Sequence, residues 1–357
     1  MKKQLFFYGV AIYWFFSNTA HAQTSNSLPA ANPQKSNPAI SLNLLTLGRI
    51  AEQGGSENAE RPNGFLFQEA ELRLSSNIDT YFRGDAVLAI HQEDGEFELH
   101  PEEIFVETLF IPSATLKVGK FYAQFGRHNH LHTHLFPFVD QPISNKIILG
   151  EEALNEIGIA LSYLVPVSWY MEVIAQAFSA TNEVVFNSPS NNDLAAIGYL
   201  RNLWELSPAS TIELGIGYGT GKNNNTDTSQ IYIGSITYKW RPIKKTLYKS
   251  FLWTAEYLGS SIGSASGQQT IGGITSWFQW QFARRFWLQG RGEYLGLPDA
   301  QIDSTQKYSA LFGFVPTDYS AIRLQYDITQ EPTTNQTVHG LTLQLNVSLG
   351  THPAHHY

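Results

Sequence analysis

The chain has 357 residues, no cysteine, 15% charged and 13% aromatic side chains, and a formal net charge of −8. Without cysteine there is no disulfide scaffold and no thiolate metal site. The acidic balance argues against nucleic acid, whose phosphates need a basic footprint, and the aromatic content argues against disorder.

The N-terminal stretch MKKQLFFYGVAIYWFFSNTAHAQ carries Lys2 and Lys3, then an apolar run from Leu5 to Phe16, then Ala20-His21-Ala22. A basic start, an apolar run too short to span a bilayer and a small-x-small cleavage pattern predict a signal peptide over residues 1–22. Residues 23–39, QTSNSLPAANPQKSNPA, have no periodicity and read as a flexible periplasmic linker. Residues 40–357 are then the remaining domain, which contains no apolar stretch of about 18 residues and so no helical span.

From Ile40 onward the hydropathy has period two. QEAELRLSS sets Ala70, Leu72 and Leu74 against Glu69, Glu71 and Arg73, and DTYFRGDAVLAI sets Phe82, Ala86, Leu88 and Ile90 against Arg83 and Asp85. The same alternation recurs in RRFWLQGRGEYLGL, DYSAIRLQYDIT and LTLQLNVSLG. Such alternation predicts half-buried strands. About sixteen such segments, each roughly 10 to 14 residues long, match what a tilted strand needs to cross an outer membrane. They fall at 40–52, 65–76, 79–92, 98–111, 113–125, 156–165, 168–179 and 194–206. The second half follows at 210–221, 229–241, 248–259, 269–282, 285–296, 305–316, 317–329 and 336–349. Connections after even-numbered segments are tight and often carry proline; most of those after odd-numbered ones are longer and polar, as in the expected loops NNNTDTS and SSIGSASGQ. The fold predicted is all-β: a transmembrane antiparallel β-barrel, closed because lipid leaves no partner for an open sheet edge. Trp169, Trp253, Tyr257, Trp277, Trp280 and Trp287 near the segment ends fit an interfacial aromatic girdle.

Alternation turns Glu69, Glu71, Arg73, Arg83, Asp85, Lys117, Arg285, Arg291, Glu293, Arg323 and Asp327 toward the lumen as pore-lining residues. Glu103, Glu107, Glu172 and Glu256 join them. Both signs are present, so no single-sign ion filter is evident. Gly215, Gly217, Gly219 and Gly221 form a stripe on one face, where another segment can approach closely.

The longest unpatterned connection runs from about Gly126 to Asn155 and contains FGRHNHLHTHLFPFVD. Its apolar patch, Leu135, Phe136, Phe138 and Val139, is out of place in water and predicts a loop folded into the lumen. In an extended chain His128, His130, His132 and His134 project to one side, with Asp140 nearby. Imidazoles and carboxylates without thiols suit Zn²⁺, Cu²⁺ or Ni²⁺. The same residues also serve as a polar lining that narrows a channel, and the spacing leaves both readings open. His352, His355 and His356 stand near the C-terminus. No G-x-S-x-G and no H-E-x-x-H occurs, so no enzymatic activity is expected.

The string from FLFQEAELRLSSNIDTYFRGDAVLAI through VGKFYAQFGR, LHTHLFPFVD and GEE resembles bacterial outer-membrane barrels related to the phosphate-selective porins O and P. Some members carry the label "zinc-regulated TonB-dependent outer membrane receptor". The resemblance implies a sixteen-stranded porin-like barrel with its third long loop in the lumen. It matches His132, His134 and Asp140 to family positions and leaves His128 and His130 as additions of this chain. A TonB-dependent receptor has a plugged barrel of roughly 22 strands, which this chain cannot supply. The resemblance also implies partners: outer-membrane lipid and lipopolysaccharide, small solutes or ions, and barrel assembly machinery reading the strand before the terminal Tyr357. Porins of this kind are often homotrimers.

The function expected is a channel for small hydrophilic solutes or ions in the bacterial outer membrane, constricted by a histidine-rich loop. The alternative is capture or uptake of divalent metal such as zinc. No cofactor is required; Zn²⁺ is the ion considered.

Overall fold

The computed structural model describes residues 38–52, 62–93, 95–190, 192–264, 267–298, 304–331 and 336–350. The signal-peptide expectation, nearly all of the linker and His352, His355 and His356 lie outside them.

Sixteen strands form one closed antiparallel barrel in which each pairs with its chain neighbours and the first meets the last. They are β1 Ala39–Ala51, β2 Gly64–Asn77, β3 Phe82–Glu93, β4 Glu96–Thr108, β5 Ala114–Tyr122, β6 Asn155–Leu164, β7 Tyr170–Ser179 and β8 Leu194–Ser207. The other half comprises β9 Ser210–Lys222, β10 Thr228–Trp240, β11 Ser250–Ser264, β12 Gly267–Ala283, β13 Phe286–Leu297, β14 Thr305–Thr317, β15 Ser320–Glu331 and β16 Gln336–Gly350. The period-two pattern located all sixteen, with ends displaced by a few residues. The largest shift is at β11 and β12, where SSIGSASGQ is not a loop: the strands extend to Ser264 and restart at Gly267. The opposite exception is the connection between β10 and β11, which runs from Arg241 to Lys249 and contains a 3-10 turn, Ile243–Lys245.

The outer surface is apolar: Ile104, Val118, Ile159, Leu161, Ile216, Ile322, Leu324, Leu343 and Leu345 all stand exposed. Water would leave that area unsatisfied, whereas lipid covers it. An aromatic rim marks the short-turn end. There Trp169 and Trp204 stack with centroids 6.4 Å apart, and Phe286 stacks on Phe282 and Phe314. Trp169, Trp253 and Trp280 belong to the outer face as expected. Trp277 and Trp287 do not: both point inward and are buried, because each occupies the inward parity of its strand.

The interior is packed. Residues 123–154, between β5 and β6, fold inward and contain a 3-10 turn, Thr133–Leu135, and one helix, α1, Ile143–Leu149. The loop between β7 and β8 also enters, burying Ala180, Val185 and Phe186. Phe125, Ile148, Leu149 and Leu154 from the first loop and Phe186 from the second meet inward side chains of the wall: Phe105, Phe121, Ile174, Phe178, Ile197, Tyr199, Ile231, Ile233 and Leu258. The wall from β4 to β11 is therefore apolar on both faces over much of its length. The expected mixed-charge lumen is densest on the remaining strands, β1 to β4 and β12 to β16, with a smaller cluster where Arg201 meets Glu172 and Glu213 on β7 to β9.

Candidate functional site

Tight contact between loop and wall begins at the loop's base. Gly126 has φ +79°, and a Cβ there would lie 2.3 Å from Ile233 Cδ1 and 2.6 Å from Glu256 Oε2. Only glycine permits this turn, and it lets the Arg127 N–H donate to Glu256 Oε2 at 2.7 Å. On β9, a Cβ at Gly217 would meet Phe125 at 2.8 Å. The glycine stripe thus makes room for the loop's first aromatic at Gly217, and at Gly221 for Phe186 of the second loop.

The residues expected to line water mostly anchor the loop instead. Asp140 sits at the centre. Its carboxylate accepts hydrogen bonds from Arg291 Nη2 at 2.9 Å, Lys307 Nζ at 2.8 Å and Gln325 Nε2 at 2.7 Å. Arg291 also donates to the Asp140 carbonyl, pairs through Nε with Glu293 Oε1 at 2.7 Å, and lies over the Phe138 ring. Glu293 in turn accepts from the Ile143 N–H at the start of α1. Arg323 donates to the Phe136 carbonyl at 2.6 Å, and Asn346 Nδ2 donates to the His134 carbonyl at 3.1 Å. Phe138 and Val139 pack on Leu47, Trp277 and Leu311, so half of the apolar patch is buried as predicted; Leu135 stays exposed. Asp327 accepts from Gln325 Nε2 and from Ser309 Oγ.

Nearer the short-turn end, Arg73 grips Asp85 with two bonds of 2.9 and 2.7 Å, and Arg83 bridges Asp85 and Glu107. Lys117 lies 4.0 Å from the Phe105 ring centroid. Arg285 corrects the sequence reading: it occupies the two-residue turn between β12 and β13 and is exposed at the rim, so its parity never brings it into the lumen.

The histidines also part company. Residues 126–130 form turns, so alternate positions do not share a side. His128 is buried against Phe136, 4.4 Å between centroids, with no hydrogen bond through Nε2. His130 joins no cation-competent group among the described residues, and Asp140 is spent on Arg291 and Lys307. His132 and His134 do converge. Their rings stack 5.9 Å apart against the wall of β2 and β4. His132 Nδ1 lies 2.9 Å from Glu102 Oε2 and 3.3 Å from Glu71 Oε2, while its Nε2 lies 2.9 Å from Glu103 Oε2. His134 Nδ1 lies 2.9 Å from Glu71 Oε2. Glu69, buried to 2% exposure, completes the group.

Strict alternation could not place Glu102. A register shift of β4 against β3 at Val87 and Leu88 lets both Glu102 and Glu103 reach the interior. The available signal was Pro101 ahead of two acids, since proline inside a strand marks a bulge or an edge.

The two buried imidazoles are shifted in opposite directions. Burial, followed by the nearby Arg291 charge, pushes His128 down to about 3. Burial also disfavours the charged His132, but Glu71, Glu102 and Glu103 outweigh it and hold that imidazole well above its usual range. The His128 shift has a sign that can be checked. Its folded-state value lies below the ordinary value of about 6.5, so its contribution is intact above pH 6.5. It declines by on the order of 1.4 kcal/mol per pH unit as pH falls toward the folded value. Protease cleavage within residues 126–154 should therefore accelerate on acidification, and His128→Gln should flatten that pH dependence relative to the parent chain. Parallel curves for the two proteins would refute the assignment.

No protein-family model matches the chain. An uncharacterized protein of Aquifex aeolicus (strain VF5) is 28% identical over 346 residues, covering 85% of this chain and 72% of that protein. Among solved structures, an anion-selective porin from Comamonas acidovorans superposes with a TM-score of 0.60 at 7% identity, over 87% of this chain and 100% of that one. The outer membrane channel DcaP of Acinetobacter baumannii gives 0.60 at 9%, over 88% and 96%. An OmpT loop-deletion mutant, from an outer membrane protein of Vibrio cholerae, gives 0.59 at 9%, over 87% and 99%. At these identities the likeness is one of fold. A closed barrel of sixteen strands with an apolar outer band is a protein of the bacterial outer membrane.

Proposed function

We propose that the protein is a porin-like channel of the outer membrane for small hydrophilic solutes or ions, with the loop of residues 123–154 as its constriction. The observation that carries this reading is a cavity of about 60 Å³ left between the loop and the wall. Arg49, Lys146 and Lys307 line it together with Asp140, Glu151 and Asp327. A polar space with both signs on its walls suits hydrated solutes without a strong charge preference. Porins and a channel among the structures of like fold support it, and the H-x-H…F-V-D block supports kinship with the porins O and P branch. Trimers are known for the Vibrio OmpT fold relative, and a homotrimer is the assembly we assign. The test is planar-bilayer recording of the refolded protein: stepwise conductance is expected, and a well-folded barrel without steps would exclude the channel.

A second reading, capture or uptake of divalent metal such as zinc, is favoured by one observation: His132 and His134 stand buried among four glutamates.

A further inference from the structure

Glu69 and Glu71 on β2, Glu102 and Glu103 on β4 and the loop's His132 and His134 bring four carboxylates and two imidazoles into one buried group. Among the described residues, three triads have donor atoms within 4.8 Å of one another: Glu69–Glu71–His134 and Glu71–Glu102–His132, which share Glu71, and Glu69–His91–Glu102, which adds His91 of β3. Ligands on opposite sides of a divalent ion stand about 4.4 Å apart, twice a bond of about 2.2 Å, so small side-chain adjustments close the sphere.

Protein partners satisfy the carboxylates only in part: His134 Nδ1 faces Glu71 Oε2, and the Tyr122 hydroxyl reaches Glu102 Oε1. Glu69 Oε1 and Glu71 Oε1 are buried and receive no hydrogen bond, although both residues belong to these triads. Arg73, two residues along β2 from Glu71, is committed to Asp85 by two bonds. Burying carboxylate oxygens without a donor is costly unless a cation meets them.

The surroundings also match an outer coordination layer. Glu103 takes the far nitrogen of His132, Nε2, at 2.9 Å, which leaves Nδ1 turned toward Glu71 and Glu102. The Tyr122 hydroxyl donates to Glu102 Oε1 at 3.1 Å. Carboxylates that orient ligating imidazoles and hydroxyls that hold ligating carboxylates are the usual support of a metal centre.

We propose that Glu69, Glu71, Glu102, His132 and His134 bind one divalent transition-metal ion that clamps the loop onto β2 and β4. This deepens the metal reading above and rests on it. The donor set, oxygen and imidazole nitrogen without sulfur, suits Zn²⁺, Mn²⁺ or Fe²⁺. Three ligands come from the wall and two from the loop, so binding is linked to docking: the ion stabilises only the conformation that presents all five. The ion is thus a regulator of lumen closure held by the channel itself.

The test uses the full chain in detergent, stripped with chelator and titrated with Zn²⁺ and, separately, Mn²⁺. Expected are one ion per chain and a roughly tenfold slower protease cleavage within residues 126–154 when the ion is bound. Glu71→Gln should weaken binding at least about tenfold, an effect comparable with loss of supporting groups elsewhere. Glu69→Gln, which removes a charge at an unpaired oxygen, should do the same if the first variant folds poorly. His130→Ala and a His352/His355/His356 triple alanine variant should bind as the parent does. Stoichiometric binding that leaves loop cleavage unchanged overturns the clamp but not metal capture. Binding abolished by the C-terminal triple variant and untouched by Glu71→Gln and Glu69→Gln overturns the site. Absence of binding to the folded parent overturns both. Bilayer recording of the stripped protein judges the channel separately.

Discussion

Asp140→Asn should undock the loop and raise conductance. The substitution removes the one charge that the loop sets between Arg291 and Lys307, whose side chains are 2% and 3% exposed. Breaking a buried ion pair from one side leaves an uncompensated charge and costs about 3–5 kcal/mol. Even about 3 kcal/mol shifts the docking equilibrium roughly a hundredfold. Protease cleavage within residues 126–154 should accelerate by a comparable factor, and single-channel steps should grow. Arg285→Ala, at an exposed turn, is the matched control and should change neither. Equal cleavage rates for Asp140→Asn and the parent would show that the charge does not hold the loop.

Replacing residues 127–152 with a short Gly-Ser turn should have a larger effect of mixed sign. Tyr122 and Asn155 are direct cross-strand partners, so a tight turn can close the gap without moving the barrel. Interior space is then released, and barrels of this strand number conduct when not filled, so conductance should rise several-fold. Stability should fall at the same time. Ile148 and Leu149 of the helix and the loop residues Phe138 and Val139 cover wall side chains such as Leu258, Leu311 and Trp277. Each large apolar side chain contributes about 1.5–3 kcal/mol on burial, so heat-induced unfolding of the barrel should start at distinctly lower temperature. Conductance equal to the parent's would mean that the constriction lies elsewhere.

Strand number and register were legible because a membrane barrel imposes period two on nearly every residue. Segments such as LTLQLNVSLG, with Leu341, Leu343 and Leu345 outside and Thr342, Gln344 and Asn346 inside, allow no other assignment. The in-folded loop was legible from Phe138 and Val139, apolar residues in a connection. The same argument applies to Val184, Val185 and Phe186, yet that second loop went unread because TNEVVFNSPS is short and mostly polar. The candidate site was half visible. His132 and His134 stood out by type, but their ligand partners lie on strands joined to them by topology, and Glu102 is turned inward by a register shift. His128, His130 and Asp140 were grouped with them on the premise of an extended chain, which the turns at 126–130 remove. Nor could alternation reveal the apolar interior: Ile231 and Ile233 face the lumen, while Tyr232 and Ile236 face outward, and the sequence IYIGSI carries no sign of which apolar face meets lipid.

The loop's bonds fall on both sides of the junction where β1 meets β16. His132 and His134 reach Glu71 and Glu102 on β2 and β4, while the carbonyls of His134 and Phe136 are held by Asn346 on β16 and Arg323 on β15. Gln344 on β16 also donates to Gln68 on β2, across the intervening strand. The docked segment is a splint over the seam. A sheet whose two ends have not yet met offers either half of these partners but never both, so the cylinder must be zipped before its bore can fill, and a seated splint is itself the sign that zipping is complete.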